Sequence, residues 1–233
     1  MNKLKIKKGN YIANFRTHIL VGGGLGMLGA ISCSTLELLD KPEMLALLFF
    51  VIVLASTLPD IDSDSGIPFH IIFGSFSFFI VLQIFVFLEE NVFYERIILA
   101  LIGGFFMWVF GGSLFKRFTR HRGMAHSIPA VMLCGLGIFF VASSFSFSDK
   151  ESFLLAIFGM IGYLSHLILD EAYALVDFRG NHFSPKRSLG SALKLFSLSK
   201  RKNFIMYGLI IFLLMGNIFR FQELSQTLWD QFF

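Results

Sequence analysis

Charge is what this chain has little of. Only 15% of its 233 residues are Asp, Glu, Lys or Arg, against about 25% in soluble domains, and that shortage excludes an ordinary water-exposed globule. Cysteine is scarce too: Cys33 and Cys134 both lie inside apolar runs with no metal or redox spacing. That excludes a disulfide framework and reads as two small buried hydrophobes. What fills the chain instead is hydrocarbon, with 55% hydrophobic residues and 31 Phe, more large rings than a soluble core of this size has room for. The expected class is an all-α polytopic membrane helix bundle forming one domain over residues 1–233.

Seven apolar runs can be cut out: Ile19–Leu39, Met44–Leu58, Phe69–Leu88, Ile97–Phe115, Ile128–Phe147, Phe153–Leu169 and Phe204–Phe219. A helix rising about 1.5 Å per residue needs roughly 20 residues to cross the hydrocarbon layer. The second, sixth and seventh runs, at 15, 17 and 16 residues, must thin the bilayer, borrow flanking residues or be partly buried in protein.

The net charge of +4 does not point to nucleic acid, because the basic residues sit between the apolar runs and report orientation. With the N-terminus in the cytoplasm, the inner segments hold sixteen of the twenty Lys and Arg, and Lys41, Arg96, Lys150 and Arg220 are the four outside. That bias predicts seven spans in the cytoplasmic (inner) membrane with the N-terminus inside. A basic start and the faint lipoprotein-like box at Ala30–Cys33 raise the question of cleavage. Glycines break the apolar stretch and the Leu expected three residues before the cysteine is missing, so His18 is expected to stay with the chain.

The same assignment puts the unusual ionisable residues on one face. His18 opens the first span, Asp60 and Asp62 follow the second, His121 and His126 precede the fifth, and His166 with Asp170 closes the sixth. Ionisable groups at a membrane edge are costly without partners, which makes them functional candidates.

Each motif has a plainer reading beside it. Gly24-x-Gly26-x-x-Gly29 has the letters of a dinucleotide fingerprint but lacks the strand and the acid, so close helix packing explains it better. Asp60, Asp62 and Asp64 evoke a calcium loop, yet the glycine comes one place late and Ile71 stands where Glu belongs. These carboxylates call for a metal, for arginines or simply for water. In HRGMAHS, Gly123 lets the chain turn so that His121 and His126 can reach one centre, and Arg122 is a ready clamp for phosphate or carboxylate. A basic patch on anionic lipid is the alternative. His166 and Asp170, four apart, share a helix face and can ligate one metal, or the acid can orient the imidazole.

The connection 171–203 reads as a cytoplasmic loop with an interfacial amphipathic helix, since Leu189, Leu193 and Phe196 follow Ser184-Pro185-Lys186-Arg187 at helical spacing. Its cations, Lys186 and Arg187, bind a phosphorylated head group or anchor the loop to membrane lipids. The glycines from Gly22 to Gly29 allow a homodimer without requiring one.

Taken in order, a His opening the first span, LPDID (58–62), HRGMAHS (121–127) and GYLSHLILD (162–170) resemble the YdjM family of predicted membrane-bound metal-dependent hydrolases. The likeness runs from about residue 17 to 198. That family is distantly similar to zinc-dependent phospholipases C and single-strand nucleases, helical enzymes that cut phosphate esters at clustered zinc ions. The resemblance implies that His18, Asp60, Asp62, His121, His126, His166 and Asp170 hold metal, with zinc expected and two or more ions. On that basis a phosphoester hydrolysis is expected in which Asp62 and Arg122 act on the ester, with Arg122, Lys186 and Arg187 the expected contacts to a phosphorylated, lipid-like substrate. Ser63 stands where many relatives carry another His, so Asp64 or His182 is a candidate to complete the set. The competing class is a non-enzymatic metal-binding or ion-transporting membrane protein built on the same cluster.

Overall fold

The computed structural model describes residues 15–60, 74, 77–78, 81, 93–106, 109, 125–145, 147–177, 182–183, 190 and 193–232. Among these the fold is helical: α1 (Phe15–Thr35), α2 (Pro42–Ala55), a 3-10 turn at Leu58–Asp60, α3 (Phe93–Phe106), α4 (Ile128–Ser144), α5 (Asp149–Leu175) and α6 (Lys200–Phe232). One short antiparallel ribbon pairs β1 (Val176–Asp177) with β2 (His182–Phe183).

Three helical stretches are long and apolar enough to cross a membrane: Phe15–Thr35, Asp149–Leu175 and Lys200–Ser225. The sixth and seventh apolar runs therefore gain length by recruiting flanking polar residues. α5 starts four residues before its first apolar side chain because Ser148 and Glu151 form a reciprocal capping box. The Ser148 N–H donates to Glu151 Oε2 at 2.9 Å, and the Glu151 N–H donates to Ser148 Oγ at 3.2 Å, which satisfies donors that every helix start leaves open. α6 runs on past the last apolar run as far as Phe232. The second run makes the 14-residue α2, opened by Pro42 in its first turn, where a missing N–H costs nothing.

α5 is the central element, packed on α2, α4 and α1, while α1 also lies against α2 and α6 against α4. Leu48, Ile52, Leu155 and Cys33 are buried between α1, α2 and α5, so Cys33 is the buried hydrophobe its surroundings implied. Gly162 lets α5 and α2 touch: a Cβ there would lie 2.5 Å from the Ile52 carbonyl oxygen. Gly22 does the same for α1, where a Cβ would collide with Ser56 Oγ.

Two charged levels result. Lys41 meets Glu151 at 3.6 Å and Arg220 meets Asp149 at 3.8 Å at one end of α5. His18, Asp60, His126 and His166 gather around Asp170 at the other. Twenty-one residues separate Asp149 from Asp170 in one helix, about 31 Å along its axis, close to the thickness of a hydrocarbon layer.

After α5 the backbone over 193–199 is not helical. The helical spacing of Leu193 and Phe196 does not produce a helix there, because the chain pairs sideways instead: Lys194 bridges Ser127, and Ile128 N–H donates to the Lys194 carbonyl at 3.1 Å. Leu189 lies outside the described residues.

Candidate metal centre

Five side chains from four elements converge at the end of α5. His18 comes from the first turn of α1, Asp60 from the 3-10 turn after α2, His126 from the residues before α4, and His166 with Asp170 from successive turns of α5. The i, i+4 spacing puts the last pair on one face.

The geometry divides the donor atoms into two overlapping sets. His126 Nε2 lies 3.4 Å from Asp170 Oδ2 and 3.8 Å from Asp60 Oδ1, and His166 Nε2 lies 3.8 and 3.6 Å from the same two oxygens. His18 Nε2 faces the other oxygen of each acid, at 3.5 Å from Asp170 Oδ1 and 3.9 Å from Asp60 Oδ2. The imidazoles of His18 and His166 stack, with centroids 3.7 Å apart and planes 14° from parallel.

These separations are too long for hydrogen bonds, which fall at about 2.7–3.2 Å. They match the spacing of ligands around an ion: two atoms each about 2.1 Å from a tetrahedral zinc stand about 3.4 Å apart. The protonation pattern makes the same point. His166 Nδ1 lies 2.8 Å from the Ser56 carbonyl, an oxygen that only accepts, so Nδ1 carries the proton and donates. In the neutral ring Nε2 then presents a lone pair to two carboxylates. Among the described residues His166 Nε2, His18 Nε2 and Asp170 Oδ1 are buried without a hydrogen-bond partner. On His166, whose Nδ1 carries the proton, Nε2 faces carboxylate oxygens that also only accept, an arrangement that is unfavourable unless a cation stands between them.

Electrostatics at the rim agree. Burial alone would push the Asp60 carboxyl up, but the His126 and His166 imidazoles beside it hold it well below its usual range. Burial works against a proton on His126, and the Asp170 and Asp60 carboxylates outweigh it, raising the imidazole to about 9. In the absence of metal, protonated His126 offsets part of the buried negative charge. His18–His166–Asp170 and Asp60–His126–His166 each bring donor atoms within 4.8 Å of one another. Three imidazoles and two carboxylates, with no thiolate among them, suit a divalent metal ion.

Two residues that were not among the candidate site residues support the ligands, Ser56 just ahead of LPDID and Tyr163 inside GYLSHLILD. Ser56 Oγ shares its one proton between the Val53 carbonyl at 2.7 Å and the His18 carbonyl at 3.2 Å while its own carbonyl takes His166, so one residue touches ligand-bearing segments of α1 and α5. The Tyr163 hydroxyl donates to the Ala125 carbonyl at 2.7 Å, fixing the chain where it enters His126. The available signal was spacing: Tyr163 precedes His166 by three residues on α5, and Ser56 closes α2 just ahead of LPDID.

The family model described as YdjM inner membrane protein matches residues 13–225. The chain belongs to the YdjM inner membrane protein family. No curated protein and no solved structure matches it. All five clustered residues fall within the region matched to YdjM. Of the other candidates, Asp62, Asp64, His121, Arg122, Lys186 and Arg187 lie outside the described residues. So does the His182 side chain, although its backbone belongs to β2.

Proposed function

We propose that this YdjM protein is a membrane-bound metal-dependent hydrolase that cuts a phosphoester of a lipid or membrane-proximal substrate. The observation that carries the reading is the set of Nε2 atoms on the buried residues His18, His126 and His166, turned toward the oxygens of Asp60 and Asp170 at distances suited to metal ligation.

His126, His166, Asp60 Oδ1 and Asp170 Oδ2 would hold one ion with four protein ligands. His18, Asp60 Oδ2 and Asp170 Oδ1 would hold a second. When bound, such a pair supplies an acidified water near neutral pH and charge that stabilises the attacking and leaving oxygens. The protein's own part is orientation. Asp60 and Asp170 each turn one oxygen to either position, Ser56 keeps the His166 ring in its ligating tautomer, and Arg122 neutralises the phosphate through paired hydrogen bonds. Asp62 is assigned to the same centre, accepting the proton of the attacking water, and His121 joins as a further ligand. Lys186 and Arg187 hold the phosphorylated head group.

The seven-span arrangement with the N-terminus inside completes the reading, with the centre facing the cytoplasm. It is supported by the sixteen-to-four distribution of basic residues and by the separation of the charged levels along α5. The position of the cluster at a helix end disfavours ion translocation, whose sites lie near the midplane on broken helices. Release of phosphate or phosphorylated head group from candidate phospholipids in detergent, set beside metal flux in proteoliposomes, tests the proposal. Turnover lost on chelation and restored by zinc supports hydrolysis; flux without turnover refutes it.

A further inference from the structure

Residues 193–202, LKLFSLSKRK, carry four cations and no acid. The segment is held firmly, yet it presents its apolar side chains outward. Ile128 N–H donates to the Lys194 carbonyl at 3.1 Å, the Tyr207 hydroxyl donates to the Leu195 carbonyl at 2.9 Å, and Asn203 brackets Ser197 by accepting from its N–H at 2.7 Å and donating to its carbonyl at 2.9 Å. Despite this fixing, Leu195 is 54% exposed, Phe196 64%, and Leu198 completely exposed. A loop whose backbone groups are bonded to the protein and whose large apolar side chains are not buried by it needs an apolar medium, since removing such side chains from water is favourable.

Continuity says which medium. The stretch Lys200–Ser225 is long and apolar enough to cross a membrane, so the residues just before it meet the boundary layer of the same bilayer. There the side chains of Leu195, Phe196 and Leu198 reach acyl chains while Lys194, Lys200, Arg201 and Lys202 meet phosphates. Burial and the neighbouring Lys202 both weaken the hold of Lys194 on its proton, which an anion beside the pair would offset. We infer that the segment Leu193–Lys202 is a docking surface for the head groups of anionic phospholipids, tied through Ile128 to the residues that carry His126. The inference rests on the membrane placement and not on hydrolysis.

Spin-labelled phosphatidylglycerol and phosphatidylcholine, added to the full chain reconstituted in bilayers, report the relative association of each lipid with the protein surface. The chain is expected to prefer phosphatidylglycerol, and the K200Q/R201Q/K202Q variant to lower that preference by at least about fivefold at low salt, the factor that a single cation near the surface accounts for. R201Q alone, at an exposed position, lowers it less but in the same direction, should the triple variant not fold. Lys150→Gln, at the opposite end of α5, leaves it unchanged. An unaltered preference in R201Q and the triple variant overturns the inference, as does an equal loss in Lys150→Gln. Abolition by inorganic phosphate, beyond the effect of chloride at matched ionic strength, would assign the segment to a soluble anion and overturn it too.

Discussion

The Nδ1 of His166 lies 2.8 Å from the backbone carbonyl of Ser56, and this contact fixes which face of the imidazole is left for the centre. The proton on Nδ1 leaves the Nε2 lone pair among the carboxylates of Asp60 and Asp170, in a pocket where His166 is fully buried. A side chain cannot replace the carbonyl, so substitution at Ser56 acts through its hydroxyl. Ser56→Ala removes the contact to the His18 carbonyl and is expected to lower stability by about 1 kcal/mol, read as a fall in the detergent melting temperature.

The two donor sets predict unequal losses of metal. His18→Ala removes one imidazole from the three-ligand set and leaves the other four ligands in place, so one of two ions is retained. Asp170→Asn weakens both sets, because its two oxygens face His18 and His126 separately, and both ions are lost. Metal content measured on the two variants side by side separates these patterns; equal retention would mean that Asp170 does not serve both positions.

Tyr163→Phe tests the support of His126. The buried hydroxyl bond to Ala125 is lost without a change of shape, at a cost of about 1 kcal/mol. Metal affinity is expected to fall about tenfold, the lower end for groups that orient ligands. A competition titration with a chromophoric chelator reads this directly, and an unchanged affinity would reduce Tyr163 to a packing residue.

Acid and base act in opposite directions on the metal-free and loaded protein. His126 is raised from 6.5 to about 9 in the fold, so its contribution to metal-free stability is complete below 6.5 and is lost as pH rises through about 9. Asp60 is lowered from 3.8, so its contribution is present above 3.8 and is lost as pH falls through the folded value. Chelated protein should therefore be most stable between these limits and weaken toward pH 9. Metal must displace the His126 proton, so its affinity rises over 6.5 to 9. Melting curves and metal titrations across that range, running in parallel rather than in opposition, would contradict the assignment of His126.

Much of this was legible in the residues. The pairing of His166 with Asp170 follows from a spacing of four on a helix, and His18, Asp60 and His126 were marked by their positions at the ends of apolar runs. The true lengths of α5 and α6 were not, because apolarity stops at charged residues whereas backbone hydrogen bonding does not. The Ser148–Glu151 box was the readable sign that α5 begins early. The segment after 193 has helical spacing, but Ser197 is bracketed by Asn203 and Lys194 is captured by Ile128, contacts that no periodicity reveals. The roles of Ser56 and Tyr163 act through main-chain carbonyls, and carbonyls leave no mark on a sequence.

The pairing of α2 with α5 depends on a missing side chain. Gly162→Ala would set a methyl 2.5 Å from the Ile52 carbonyl, and the helices must separate, at a cost of about 1–3 kcal/mol. Ser56 ends α2 and His166 follows Gly162 by one turn, so the same change should also weaken metal binding. A lower melting temperature together with weaker zinc retention is the expected outcome.

The most direct measurement is elemental analysis of the full chain purified in detergent without chelator. Two divalent ions per chain, with zinc the principal metal and both lost in Asp170→Asn, are the expected result. Protein that is folded but holds no stoichiometric metal, or an Asp170→Asn variant that keeps its full complement, would contradict a centre built on His18, Asp60, His126, His166 and Asp170.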